Sequence, residues 1–147
     1  MTAASAAAYR NEIAQLYYAN VRSNSFHSHY TYEEAFEKIE SLIAHLADGT
    51  AVVYGAFEGS ELTGFLWAYA HPFREELRMY VSEIRVKEEA RNQGIGTALL
   101  RSAEEKAKEM GLGALYLHAE AKNEDARSFY EAFGFEEERI QMRKGLE

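Results

Sequence analysis

The stretch Arg91-Asn92-Gln93-Gly94-Ile95-Gly96-Thr97 constrains this chain more than any other, because it ends a strand-like run and opens a long helical one. Upstream, Tyr80-Val81-Ser82-Glu83-Ile84-Arg85-Val86 alternates and is rich in β-formers, which predicts a strand. Downstream, Ile95, Ala98, Leu99, Ser102, Ala103, Ala107 and Met110 recur at helical spacing, with Gly111 placed to cap the end. Two glycines at a helix start remove side chains that would block a close approach to the backbone. The first free N–H groups then point at whatever sits there, backed by the positive end of the helix dipole. An anion belongs at that position, and a diphosphate suits the concavity. A turn glycine followed by a packing glycine is the plainer reading of the same pair.

The pattern continues through a strand-like Ala114-to-Ala119 to Asn123 and then Ala126-Arg127-Ser128-Phe129-Tyr130-Glu131-Ala132-Phe133-Gly134-Phe135. On these two segments, in this order, the chain resembles the GNAT superfamily of N-acetyltransferases. Arg91-x-x-Gly94-x-Gly96 is similar to its pyrophosphate-binding signature, and Asn…Phe-Tyr…Gly-Phe to its second cofactor-binding segment. The resemblance covers residues 77 to 144; the first half follows the family in its order of elements. It implies an α/β fold with a central mixed, mostly antiparallel sheet flanked by helices, forming one GNAT-like domain over residues 1–147. It also implies transfer of an acetyl group from acetyl-CoA to a primary amine by direct attack.

Ahead of those segments, the Ala-rich residues 1–8 are a poor version of the strand with which the family usually begins; either that strand is missing or the run extends the first helix. Ile13, Leu16, Tyr17 and Val21 form a helical stripe, and residues 22–30 lose periodicity. Thr31-Tyr32-Glu33-Glu34 reads as a capping box opening a second helix that stops at Asp48-Gly49. Ala51–Phe57 and Leu62–Ala70 read as a meander, the second strand ended by Pro72, with Phe73 to Arg78 as a charged connection. Phe135–Glu138 and Arg139–Lys144 are expected to close the sheet as a short terminal pair.

A length of 147 residues suits one domain with a real core, and no apolar run approaches the roughly 20 residues of a membrane span. The absence of cysteine excludes disulfides, thiolate metal sites and a cysteine nucleophile, and fits a cytoplasmic protein. A net charge of −8 argues against nucleic acid as partner and favours a cationic or amine-bearing acceptor. A homodimer is compatible with the expected exposed strands.

The resemblance assigns roles residue by residue. Arg91, Asn92, Gln93, Gly94, Ile95, Gly96 and Thr97 would cradle the cofactor's pyrophosphate, with Arg101 or Arg127 adding charge; Asn92 stands where the family often has glycine. Ile84, Arg85 and Val86 would pair with the pantetheine arm. Asn123 and Phe129 belong to the second cofactor segment, and Asn123 is equally a helix N-cap. Tyr130 matches the tyrosine near the cofactor sulfur, where a phenol can donate to a departing thiolate; otherwise it is one more aromatic of its helical stripe. Glu83 is the leading base for the acceptor, since alkylammonium groups are mostly protonated at neutral pH. Strict alternation would put it on one face with Val81 and Arg85, where an ion pair to Arg85 or Lys87 is the competing role. His118 is a second candidate base. The acceptor pocket is expected from Phe26, His27, His29, Tyr30, Trp67, Tyr69 and His71, or these aromatics are core. His27 and His29 lack a third ligand, so no metal is expected. The acceptor reads as a small molecule. A protein N-terminus or lysine, and a non-catalytic coenzyme A-binding module, are the competing readings.

Overall fold

Thr31 sets the start of one helix as its sequence dictates: its hydroxyl accepts from the Glu34 N–H (3.2 Å), while the Glu34 carboxylate accepts from the Thr31 N–H (3.4 Å). That helix is α3, Tyr32–Ala47. The computed structural model describes residues 1–22, 29–49 and 51–147, in two units, Met1–Leu117 and His118–Glu147.

In the first unit the Ala-rich run forms a helix of its own, α1 (Ala3–Ala8), and not the family's opening strand. Alanine has the highest helix propensity, and Thr2 and Ser5 close a capping box ahead of it. Tyr9 separates it from α2 (Arg10–Arg22). The sheet follows as β1 (Val52–Glu58), β2 (Glu61–Phe73), β3 (Glu76–Val86) and β4 (Leu115–Tyr116), in the spatial order β1-β2-β3-β4. The first two pairings are antiparallel and the last is parallel, after a crossover through a short 3₁₀ turn (Glu88–Ala90) and α4 (Ile95–Glu109). This is the mixed, mostly antiparallel sheet flanked by helices that the resemblance implies.

The connection expected at residues 73–78 is instead a tight hairpin. Phe73 pairs with Glu76, and the turn is Arg74-Glu75 with Arg74 left-handed at φ 57°. Pro72 does not end β2, because it lies beside the hairpin end, where few ladder bonds depend on its missing N–H.

Helices α1 to α3 cover one face of the sheet and α4 the other. Ile13, Ile39, Leu42, Val53, Phe65 and Trp67 belong to one buried cluster on the first face. On the second, Gly64 lets the strands close on α4: a Cβ there would stand 3.0 Å from the Arg85 carbonyl oxygen and 3.4 Å from Ile95 Cγ2.

In the second unit, Asn123 caps α5 (Glu124–Phe133) by accepting from the Ala126 N–H (3.1 Å). The expected terminal strand pair is absent: residues 134–147 carry no strand. Three consecutive glutamates crowd like charge, and Glu137 is drawn instead to Arg127 on α5 (2.5 Å). The strand expected over Ala114–Ala119 is only Leu115–Tyr116.

Candidate active site

Glu83 owes its position to an irregularity in β3. Trp67 pairs with Glu83 and Ala68 with Val81, so Ser82 is an extra residue between two regular pairs. Cross-strand partners share a face. Phe65 and Trp67 lie in the cluster under α1 to α3, which puts their partners Arg85 and Glu83 on that face as well. Val81, opposite Ala68, lies on the α4 face. Strict alternation therefore fails here, and Glu83 shares a side with Arg85 and not with Val81.

On that face the Glu83 carboxylate is partly buried. The Asn20 Nδ2 of α2 donates to its Oε2 at 2.5 Å. Burial pushes its pKa up from the ordinary 4.5 to about 7, although the Asn20 hydrogen bond and the charge of Lys38 both pull it down. The competing ion pair with Lys87 is not formed, because Lys87 binds Glu61 at 2.9 Å. Around Glu83 stand phenols that sense its charge. Tyr17 is pushed up by burial first, then by Glu83 and by its hydrogen bond with Tyr30; burial likewise raises Tyr30 and Tyr80.

Of the expected acceptor residues, Phe26 and His27 lie outside the described residues. His29 is exposed. Tyr30 packs on Tyr17 and Tyr18 with ring centroids 6.2 and 6.5 Å away. Trp67 is core, 5% exposed, with the Lys38 ammonium 5.6 Å from its ring centroid. Among the described residues its indole N–H finds no hydrogen-bond partner. Tyr69 contacts Tyr80 edge-on at 5.4 Å, and Tyr80 stacks on Tyr116 at 4.8 Å, so three strands present a row of tyrosines. The Tyr116 hydroxyl and His71 Nδ1 are hydrogen-bonded at 2.7 Å. Sequence reasoning missed Asn20, Lys38, Tyr80 and Tyr116 as neighbours of this site. Only the spacing of Tyr17 and Asn20, three apart on one helix, hinted that both face the same way.

Beyond Glu83, β3 runs on through Ile84, Arg85 and Val86 with β2 along one edge; β4 reaches only Met79 and Tyr80 on the other. Among the described residues of this unit, no strand pairs with the edge from Ser82 to Val86. Burial, and then the nearby charge of Arg91, hold the Arg85 guanidinium below its ordinary value. Arg91 itself donates through Nε to the Val86 carbonyl (3.3 Å). Asn92 and Gly94 are both left-handed, with φ of 65° and 80°, and a Cβ on Gly94 would meet nothing within 4 Å. The first bond of α4 runs from the Ala98 N–H to the Gly94 carbonyl (3.0 Å). Among the described residues, no hydrogen bond is donated by the main-chain N–H of Asn92, Gln93, Gly94, Ile95, Gly96 or Thr97. Unspent donors at a helix start, beside open space, fit the diphosphate of a coenzyme A thioester.

In the second unit Arg127 is tied to Glu137 and to the Ala121 carbonyl (3.2 Å), which leaves less of its charge for an anion. Tyr130 lies on α5 with Phe129 at 5.4 Å and Phe135 at 5.8 Å between ring centroids. Among the described residues no group of three His, Asp or Glu is placed to hold a metal ion.

In sequence and in fold the chain is similar to known acetyltransferases. The uncharacterised N-acetyltransferase YdgE of Bacillus subtilis is 31% identical over 123 residues, covering 80% of this chain and 78% of the relative. A mycothiol acetyltransferase of Jonesia denitrificans is 34% identical over 88 residues, 60% of this chain but 27% of that enzyme's length. A solved structure from Pyrococcus furiosus, provisionally assigned as an acetyl transferase, superposes with a TM-score of 0.76 at 34% identity, over 94% of each chain. An aminoglycoside acetyltransferase from a soil metagenome, solved with sisomicin, shares the fold at 17% identity and a TM-score of 0.76, covering all of this chain and 93% of that one. The model of the acetyltransferase (GNAT) family matches residues 9–135, and the chain belongs to that family.

Proposed function

We propose that this protein is an acetyl-CoA-dependent N-acetyltransferase that acts by direct attack on the primary amine of a small molecule. The observation that carries the reading is the run of unspent main-chain donors from Asn92 to Thr97, at the end of the strand that bears Glu83. A coenzyme A thioester supplies an activated acyl carbonyl and a sulfur leaving group. The chain's own residues do the rest. The Asn92–Thr97 amides and the positive end of α4 bind the diphosphate, and Ile84 to Val86 offer a strand edge to the arm. Glu83, with a pKa near neutrality, takes the proton from the acceptor ammonium, which is the matching a general base needs. Tyr130 donates its phenolic proton to the departing sulfur, and Asn123, Arg127 and Phe129 support the arm from α5. Tyr30, Tyr69 and His29 shape the acceptor pocket, and Trp67 supports it from the core. Both units serve one acyltransferase domain, a reading supported by a family match that crosses from one into the other.

A small-molecule acceptor is supported by the name of one similar protein, a mycothiol acetyltransferase, while an aminoglycoside acetyltransferase shares the fold. The test is release of free coenzyme A thiol across a panel of polyamines, amino sugars, amino acids, arylalkylamines and peptide N-termini. Thiol release with one small amine, lost in Glu83→Gln, is the expected outcome. Tight acetyl-CoA binding with no turnover on any amine would overturn it in favour of a binding module.

A further inference from the structure

We propose that Asn20 is a positioning residue for Glu83: from the last turn of α2 its amide holds the carboxylate on the acceptor side of β3 and favours its ionised form. The inference rests on the reading of Glu83 as the base. Its geometry is direct. The extra residue at Ser82 swings Glu83 onto the face covered by α2 and α3, and the Asn20 Nδ2 meets Oε2 at 2.5 Å. A carboxylate has four acceptor positions and no donor, whereas the Asn20 amide nitrogen is a pure donor, so this bond is stronger with the charged state than with the neutral acid.

The surroundings make the bond necessary. From α2, Tyr17 faces the carboxylate; from the segment before α3, Tyr30; from α3, Lys38; from β2, Trp67; and along β3 itself, Tyr80 and Arg85. Most of these are aromatic and strip water from the carboxylate, which favours the neutral acid. Lys38 opposes this through its charge, but it is exposed and, among the described residues, forms no ion pair at contact distance, and its influence is smaller than that of Asn20. Asn20 thus sets whether the base is ready at neutral pH.

The experiment follows the Glu83 carboxyl directly, by carbon-detected NMR titration, in the wild type, Asn20→Ala, Asn20→Asp and Lys38→Met, alongside pH profiles of kcat/KM. Removing the donor is expected to raise the Glu83 midpoint by about one pH unit, more in Asn20→Asp and less in Lys38→Met. The acid limb of the rate profile should move by the same amount, with donor affinity unchanged. Asn20→Asp, matched in size, serves the comparison where truncation unsettles α2. A Glu83 midpoint that stays put in both Asn20 variants overturns the inference. A midpoint that rises while the rate profile stays fixed upholds Asn20 as the tuning residue and defeats Glu83 as the base.

Discussion

Trp67 and Glu83 face one another across β2 and β3 at the point where the ladder slips by one residue. The pairing sets a carboxylate against the least polar part of the sheet. Its cost should be visible in stability as well as in catalysis.

The folded carboxyl of Glu83 keeps its proton up to about pH 7, whereas an unfolded chain releases it near 4.5. Between those values the unfolded state binds fewer protons, so stability falls as pH rises through the window. Glu83→Gln escapes that fall. It should be more stable than the wild type by about 2 to 3 kcal/mol at pH 8 and indistinguishable below about pH 4, by the linkage between pKa and stability. Urea unfolding at the two pH values checks this, and equal gains at both would separate the effect from ionisation.

Gly94→Val should weaken the donor site while leaving the fold in place. A β-branched residue resists the left-handed backbone observed at φ 80°, so the amides that follow lose their aim. A Cβ would meet nothing within 4 Å, so the stability loss should be confined to the backbone strain of a left-handed valine, about 1 to 2 kcal/mol. Calorimetric titration with coenzyme A should show affinity reduced by on the order of tenfold or more, comparable to losing one or two charge-assisted hydrogen bonds.

Tyr130→Phe keeps the ring against Phe129 and Phe135 and deletes the hydroxyl. Turnover should drop by on the order of 10²-fold, the usual contribution of general acid catalysis, with acetyl-CoA affinity nearly unchanged. Steady-state kinetics with a competent amine separates the two quantities. Equal turnover would return Tyr130 to the role of a packing aromatic.

Gly64→Ala tests the close approach of β2, β3 and α4. The new methyl would sit 3.0 Å from the Arg85 carbonyl oxygen, and a main-chain atom cannot step aside as a side-chain tip can. A loss of about 1 to 3 kcal/mol is expected from overpacking of this kind. Thermal unfolding measures it.

The sequence was most legible where chemistry is local. The Thr31–Glu34 box, the Gly94 helix start and the Asn123 cap each depend on residues within a few positions of one another, and all three are formed. The site's surroundings were less so. Alternation cannot reveal an inserted residue, so Glu83 was assigned a face shared with Val81, and its real neighbours Asn20 and Lys38 went unnoticed on helices distant in sequence. The hairpin at Arg74 was hidden by an absence of glycine, and the terminal strand pair expected after the second family-like segment is not formed.

Ser82 acts as a phase shift in an otherwise two-beat strand. Removing that single residue would splice Val81 onto Glu83 and leave both pairs, Ala68–Val81 and Trp67–Glu83, in unbroken alternation. No side chain would change face; the strand would lose the bend and added twist that an unpaired residue imposes. A shortened β3 of that kind would keep the carboxylate on its side of the sheet and alter only the course of the strand that carries it.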